Sequence, residues 1–260
     1  MKKIMTLAAI FAAVMMGFSA CQPEDQPSTP GTEETPGTND ETPGTNDETP
    51  AAGITIDGQF ADWDAVEGVE CADGAKYTAL TVLKAYADAD YVYIYIEFDE
   101  DQIVNPGWVP MHVYFNADAS DETGGFGDQW TDANCEFMLE TAFMADTFTN
   151  YDPALFKWWG EVGGTGWLWS DPDITPSTDN MWGAIVGENQ GIGGNAAGEG
   201  NKFECALLKE MMAGYEFADE FTLGVDIQQE WASVGVLPNA PATDDNPNGL
   251  AEKLLVKTVK

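Results

Sequence analysis

Residues 91–98 read YVYIYIEF. Val92, Ile94, Ile96 and Phe98 fall on one side of a two-residue period and Tyr91, Tyr93 and Tyr95 on the other, which fits a strand with one face in a core. The alternation returns at 111–115, 135–139 and 221–227, and 78–86 is a further strand candidate. Clusters of Gly, Asp, Asn and Pro at 99–107, 116–128, 160–166, 171–180 and 187–201 punctuate these runs. Many short strands with turn signals between them predict an all-β fold, a single antiparallel β-sandwich of jelly-roll-like type. One short amphipathic helix is expected at 206–212.

The chain opens with MKKIMTLAAIFAAVMMGFSAC. Lys2 and Lys3 precede an apolar run too short to span a bilayer, and small residues Ser19 and Ala20 lead to Cys21. This resembles the lipobox of bacterial lipoproteins, which implies a leader over 1–20 and a lipid on Cys21. Phe18 departs from the Leu such motifs carry, and the alternative is an ordinary cleaved leader followed by a cysteine. Residues 21–52 repeat ETPGTND and contain no large apolar side chain, so they predict a disordered acidic tether reaching roughly 30 Å. Glu24 and Asp25 resemble the acidic export tags of lipoproteins displayed on the cell exterior. The expected location is therefore the outer membrane, with membrane contact only through the lipid anchor. The folded part is expected over 53–260.

Charge narrows the partners. The chain has 45 acidic residues against 10 basic ones, all of them lysine. Nucleic acid and other polyanions are repelled, while neutral ligands and cations are favoured. Without arginine there is no planar fork to grip carboxylates or phosphates. Beyond Cys21, the cysteines Cys71, Cys135 and Cys205 are odd in number and allow at most one disulfide. Alternation places Cys135 and Cys205 in the core.

ITIDGQFADWDAV carries Ile56, Asp57, Gly58, Asp62 and Trp63, and ADADYVYIYIEFDED follows it. Together they resemble the opening of family-9-like carbohydrate-binding modules and the related DOMON-type sandwiches. VYFNADASDETGG is similar to the acidic turn after a central strand there, and EWASVGVLP to a penultimate strand. The resemblance implies a sandwich that binds neutral oligo- or polysaccharide without catalysis and feeds a neighbouring outer-membrane uptake system. The alternative is a calcium-stabilised adhesion or assembly module that binds protein.

Trp158, Trp159, Trp167 and Trp169 crowd FKWWGEVGGTGWLWS. On a strand Trp158 and Trp159 point to opposite faces, and GEVGGTG can close a hairpin to the Trp167 and Trp169 arm. Either these rings cover a core, or at least one of them offers a flat platform for a pyranose. Trp182, Asp171 and Asn180 complete the candidate saccharide set. Tyr91, Tyr93 and Tyr95 pose the same choice, a covered or solvated outer face against a ligand surface.

Asn116, Asp118, Ser120, Asp121, Glu122 and Asp128 supply hard oxygens suited to calcium. Asp121 stands where an EF-hand loop needs Gly, so the segment is either a sandwich-loop calcium site or a solvated acidic turn. His112, the one histidine, lies among apolar strand residues with no Ser or Cys motif and reads as a hydrogen-bonded sheet residue. GIGGNAAG at 191–198 lacks a βαβ setting and reads as a flexible loop.

Overall fold

The structure, a computed structural model, describes residues 53–126, 128–132, 134–158, 160–166, 196–209 and 217–260. The leader and the tether therefore lie outside the described residues. So do Trp159, Trp167, Trp169, Trp182, Asp171 and Asn180.

Two antiparallel sheets stack face to face. One sheet contains β1 (Gly68–Glu70), β2 (Leu80–Ala87), β3 (Tyr91–Phe98), β7 (Ala196–Glu199) and β8 (Lys202–Leu208), in the order β1-β2-β3-β8-β7. The other contains β4 (Val109–Asn116), β5 (Phe137–Met144), β6 (Thr149–Lys157), β9 (Glu220–Gln229), β10 (Ala232–Leu237) and β11 (Leu254–Lys257). Its order is β10-β9-β4-β5-β6, and β10 and β11 pair end to end along one edge of β9.

The core follows the alternation. Val92, Ile94, Ile96 and Phe98 of β3 meet Val109, Met111, Val113 and Phe115 of β4 across the interface, all essentially inaccessible. Phe203, Cys205 and Leu207 extend the first inner face, and Phe221, Leu223, Val225 and Ile227 the second. The expected antiparallel sandwich is thus present, and Cys135 and Cys205 are buried, with Cys71 half-buried. Two local expectations fail. Residues 206–208 belong to β8 rather than to a helix, because Phe203, Cys205 and Leu207 continue a two-residue period into the core. The glycine-rich run ends in strand β7, where Ala196–Glu199 pairs with β8.

At Tyr95 the tyrosine face of β3 is covered by residues 54–63, while Tyr91 and Tyr93 stay half-buried. Tyr95 packs under Phe60 and Trp63, with Ile54 beside them. One buried side chain anchors this segment. Glu204, on the outer face of β8, accepts hydrogen bonds from the backbone N–H of Asp57 at 2.9 Å and of Gly58 at 2.7 Å. It also accepts from the Trp63 indole at 2.7 Å. Asp62 accepts from the Thr55 N–H at 2.8 Å, and Lys84 donates to the Trp63 carbonyl at 2.7 Å. The Asp57, Gly58, Asp62 and Trp63 motif is therefore a lock between the entering chain and the first sheet.

On the outer face of the second sheet, the loop between β4 and β5 folds back over one end. Tyr114, Phe126, Trp130, Cys135, Met138 and Val236 form a second buried cluster. Trp130 lies so close over Gly224 that a Cβ there would sit 2.4 Å from the indole. Gly224→Val is accordingly expected to lower stability by about 1–3 kcal/mol through overpacking, read as a lowered unfolding midpoint in urea. Among the described residues, nothing folds over the other end of this face in the same way.

Candidate functional site

At this other end of the second sheet's outer face, a two-residue turn joins β9 to β10. Glu230 and Trp231 both have positive φ, 50° and 64°, the arrangement of a type I′ hairpin turn. Asn–Gly suits such a turn; Glu and Trp each have a Cβ that disfavours it. The strained turn displays Trp231 at 65% exposure. Val104, at 86% exposure, faces the same cavity of about 430 Å³, with Trp108 and Pro110 in its wall. The two most exposed large apolar side chains among the described residues thus border one groove.

Trp231 also lines the next compartment, of about 380 Å³, beside His112, Glu140, Gln228 and Phe126. Asp128, Gln129 and Ser233 are shared between this compartment and a third, of about 460 Å³, that reaches Tyr77 and Asn248. The three compartments form one trough along the outer face of the second sheet, with aromatic side chains at the turn and polar ones on the floor.

The floor is a chain of hydrogen bonds that the period of two aims outward. His112 on β4, Glu140 on β5 and Asp226 on β9 occupy facing positions, with Asp226 and Glu140 each opposite His112. The Gln228 amide donates to Asp226 Oδ2 at 2.9 Å and lies 3.2 Å from His112 Nδ1. An amide NH₂ only donates, so Nδ1 accepts and the imidazole proton sits on Nε2, directed at Glu140 Oε2 at 2.9 Å. Ser233 Oγ donates to Asp226 Oδ2 at 2.9 Å, and Gln129 Nε2 does so at 3.4 Å. Ser233 is therefore tied to the aspartate. Burial also pushes the Cys135 thiol up to about 12, far from a reactive thiolate.

Asp226 is fully inaccessible, so a ligand in the trough does not touch it. It acts from beneath, fixing Gln228, Ser233 and Gln129 in the geometry they present above. Burial raises its carboxyl to about 6, opposed by those three donors and by His112. The folded state therefore takes up this proton before the unfolded chain does. Stability from this group is fully present below about pH 4 and is lost as pH rises through about 6. Acidifying from pH 7.5 to 5 is expected to raise the unfolding free energy by about 1–2 kcal/mol through this group, and Asp226→Asn to remove that share of the rise in denaturation curves.

Among the predicted saccharide residues, Trp158 is half-buried against Phe126. Its indole donates to the Glu161 carbonyl at 3.0 Å and lies against Gly125 and Gly160. It supports the trough wall from behind. Trp108, Trp231, Glu140 and Gln228 were not singled out from the sequence as ligand residues, although EWASVGVLP contains Trp231. The available signal was a Glu–Trp pair between two alternating runs, at a position where a hairpin turn prefers Asn–Gly.

The predicted metal residues divide: Asn116, Asp118 and Ser120 hydrogen-bond among themselves, whereas Asp121 and Asp128 turn to other partners. Asp118 accepts from Ser120 N–H at 2.9 Å and faces Thr123, Asp121 accepts from Asn134 at 2.9 Å, and Asp128 accepts from Gly166 N–H at 3.4 Å. Glu122 donates its backbone N–H to Ser120 Oγ at 3.0 Å. Among the described residues no three His, Cys, Asp or Glu side chains converge as a metal cage. No family model matches this chain and no curated protein matches its sequence, so its function must be read from the chemistry of its own surface.

Proposed function

We propose that this protein binds neutral glycans, without turning them over, in the trough on the outer face of the second sheet. The observation that carries the reading is Trp231, held 65% exposed on a strained turn beside a floor of pinned hydrogen-bonding side chains. A flat aromatic ring offers its face to the apolar C–H surface of a pyranose, and fixed amides, hydroxyls and carboxylates meet the hydroxyls. Strain held at an exposed aromatic is a mark of function, since packing alone would not select it. Charge supports an uncharged ligand: among the described residues, Glu230, Glu140 and Asp128 line the trough and no lysine does. In the cell, a lipid on Cys21 and the 21–52 tether would hold the domain above the outer membrane, where captured glycan passes to an uptake system.

A glycan array probed with the purified protein tests this. Binding to one or more neutral glycans is expected, and Trp231→Ala should weaken it at least about tenfold in calorimetric titration with unchanged thermal stability. An array showing no glycan bound, with a partner protein retained through Trp231 instead, favours the adhesion reading.

A further inference from the structure

We propose that the end of the second sheet nearest the β4–β5 loop holds a calcium ion, with a ligand set different from the loop pattern in the sequence. Asn116 closes β4 and pairs with Thr222 of β9. Glu136 donates its N–H to the Phe115 carbonyl at 3.0 Å, just before β5, which sets it opposite Asn116. Thr222 and Asn116 thus sit side by side on neighbouring strands, with Glu136 at the adjoining start of β5.

Their oxygens lack positive partners. Asn116 is 5% exposed; its Nδ2 donates to the Ser120 carbonyl at 3.2 Å, which fixes the amide and leaves Oδ1 buried with no donor. Thr222 Oγ1 is likewise buried without a partner. Thr123 Oγ1 lies 3.1 and 2.9 Å from the two oxygens of Asp118 and 3.1 Å from Glu136 Oε1. A hydroxyl carries one proton, so it serves one carboxylate while the other faces a lone pair. The remaining Glu136 oxygen accepts from the Ala117 N–H at 2.6 Å, which holds the carboxylate against the strand end.

Two carboxylates, an amide oxygen and a hydroxyl are hard ligands, and water can complete the six to eight oxygens calcium takes. With only two charged ligands, affinity should fall in the range of extracellular modules, a Kd on the order of 10⁻⁴–10⁻³ M. Zinc favours nitrogen and sulfur ligands, which this cluster does not offer. The loop that starts here carries Phe126, Asp128 and Gln129 into the trough, so the ion would brace that wall whatever the trough binds.

Thermal unfolding of the purified protein at constant ionic strength tests the site, with 10 mM calcium chloride, 10 mM magnesium chloride or a chelator. Calcium should raise Tm by about 5–10 °C over the chelator if the Kd is near the tight end of that range, and magnesium should not. Asp118→Asn, a substitution at an exposed position, should remove most of that rise, and Asp121→Asn should leave it intact. Three results would overturn the proposal. They are no calcium-dependent rise, an equal rise with magnesium, or loss of the rise in Asp121→Asn with its retention in Asp118→Asn. If Glu136→Gln also raises Tm in chelator while calcium does nothing, a shared proton rather than a metal ion satisfies the pair.

Discussion

Replacing Glu230–Trp231 with Asn–Gly is expected to make the protein more stable and to abolish glycan binding. Both residues occupy left-handed backbone conformations, each costing roughly 1–2 kcal/mol for a side chain with a Cβ, and Asn–Gly relieves most of this. Trp231 is 65% exposed, so little burial is lost with it. The net gain should be about 1–2 kcal/mol, or roughly 3–6 °C in Tm for a domain of this size. Gains of stability at the expense of activity are characteristic of residues kept for binding. If the variant were less stable, the turn would be serving the fold. If it still bound glycan as the parent does, Trp231 would not be the platform.

The second large effect concerns the lock on the first sheet. Glu204→Ala strands three donors: the part-buried N–H groups of Asp57 and Gly58 and the buried Trp63 indole. At about 1–3 kcal/mol for each unsatisfied group, partly recovered by relaxation and water entry, the loss should reach about 3–5 kcal/mol. Because Trp63 and Tyr95 are packed together by this anchor, 54–63 should detach first. Limited proteolysis is expected to cut that segment in Glu204→Ala under conditions where the parent survives. Glu204→Gln keeps an acceptor oxygen and should lose clearly less. Equal resistance in Glu204→Ala and the parent would contradict the anchoring role. Burial raises the Glu204 carboxyl, yet its three donors favour the ionised form, so the anchor works as a hydrogen-bond acceptor and not through an ion pair.

Much of this architecture is readable in the sequence because a two-residue period leaves few choices. YVYIYIEF can bury Val92, Ile94, Ile96 and Phe98 only as a strand. The same rule, carried through Phe203, Cys205 and Leu207, outweighs the helical preference of the Ala-Leu-Leu run that follows. The covered tyrosine face at Tyr95 was one of two open readings, and the sequence alone does not say which segment returns to cover it. Glu204 looks like an ordinary solvent-facing strand residue until Asp57 and Gly58 arrive beside it, 147 and 146 residues away in the chain.

The candidate site was less legible for the same reason. Tryptophan density drew attention to 158–169, where the described ring, Trp158, is half-buried and its indole N–H is spent on Glu161. The trough joins Trp108, Glu140, Gln228 and Trp231, which are spread over more than 120 residues and meet only through the β5-β4-β9-β10 order. His112 illustrates the limit. Its place in an apolar run predicts a satisfied sheet residue, and it is one, but its partners Glu140 and Gln228 are fixed by register alone. Acidic spacing within the β4–β5 loop likewise overlooks Thr222, which pairs with Asn116 from β9, and Glu136, which accepts from the Ala117 N–H.

Amide hydrogen exchange of the protein with and without a bound neutral polysaccharide tests the central claim most directly. Slowed exchange is expected at 104–112, 126–129 and 226–234, the segments bordering the trough, with the first sheet unchanged. Protection confined to 156–169 or to the first sheet, or no protection at saturating glycan, would contradict it.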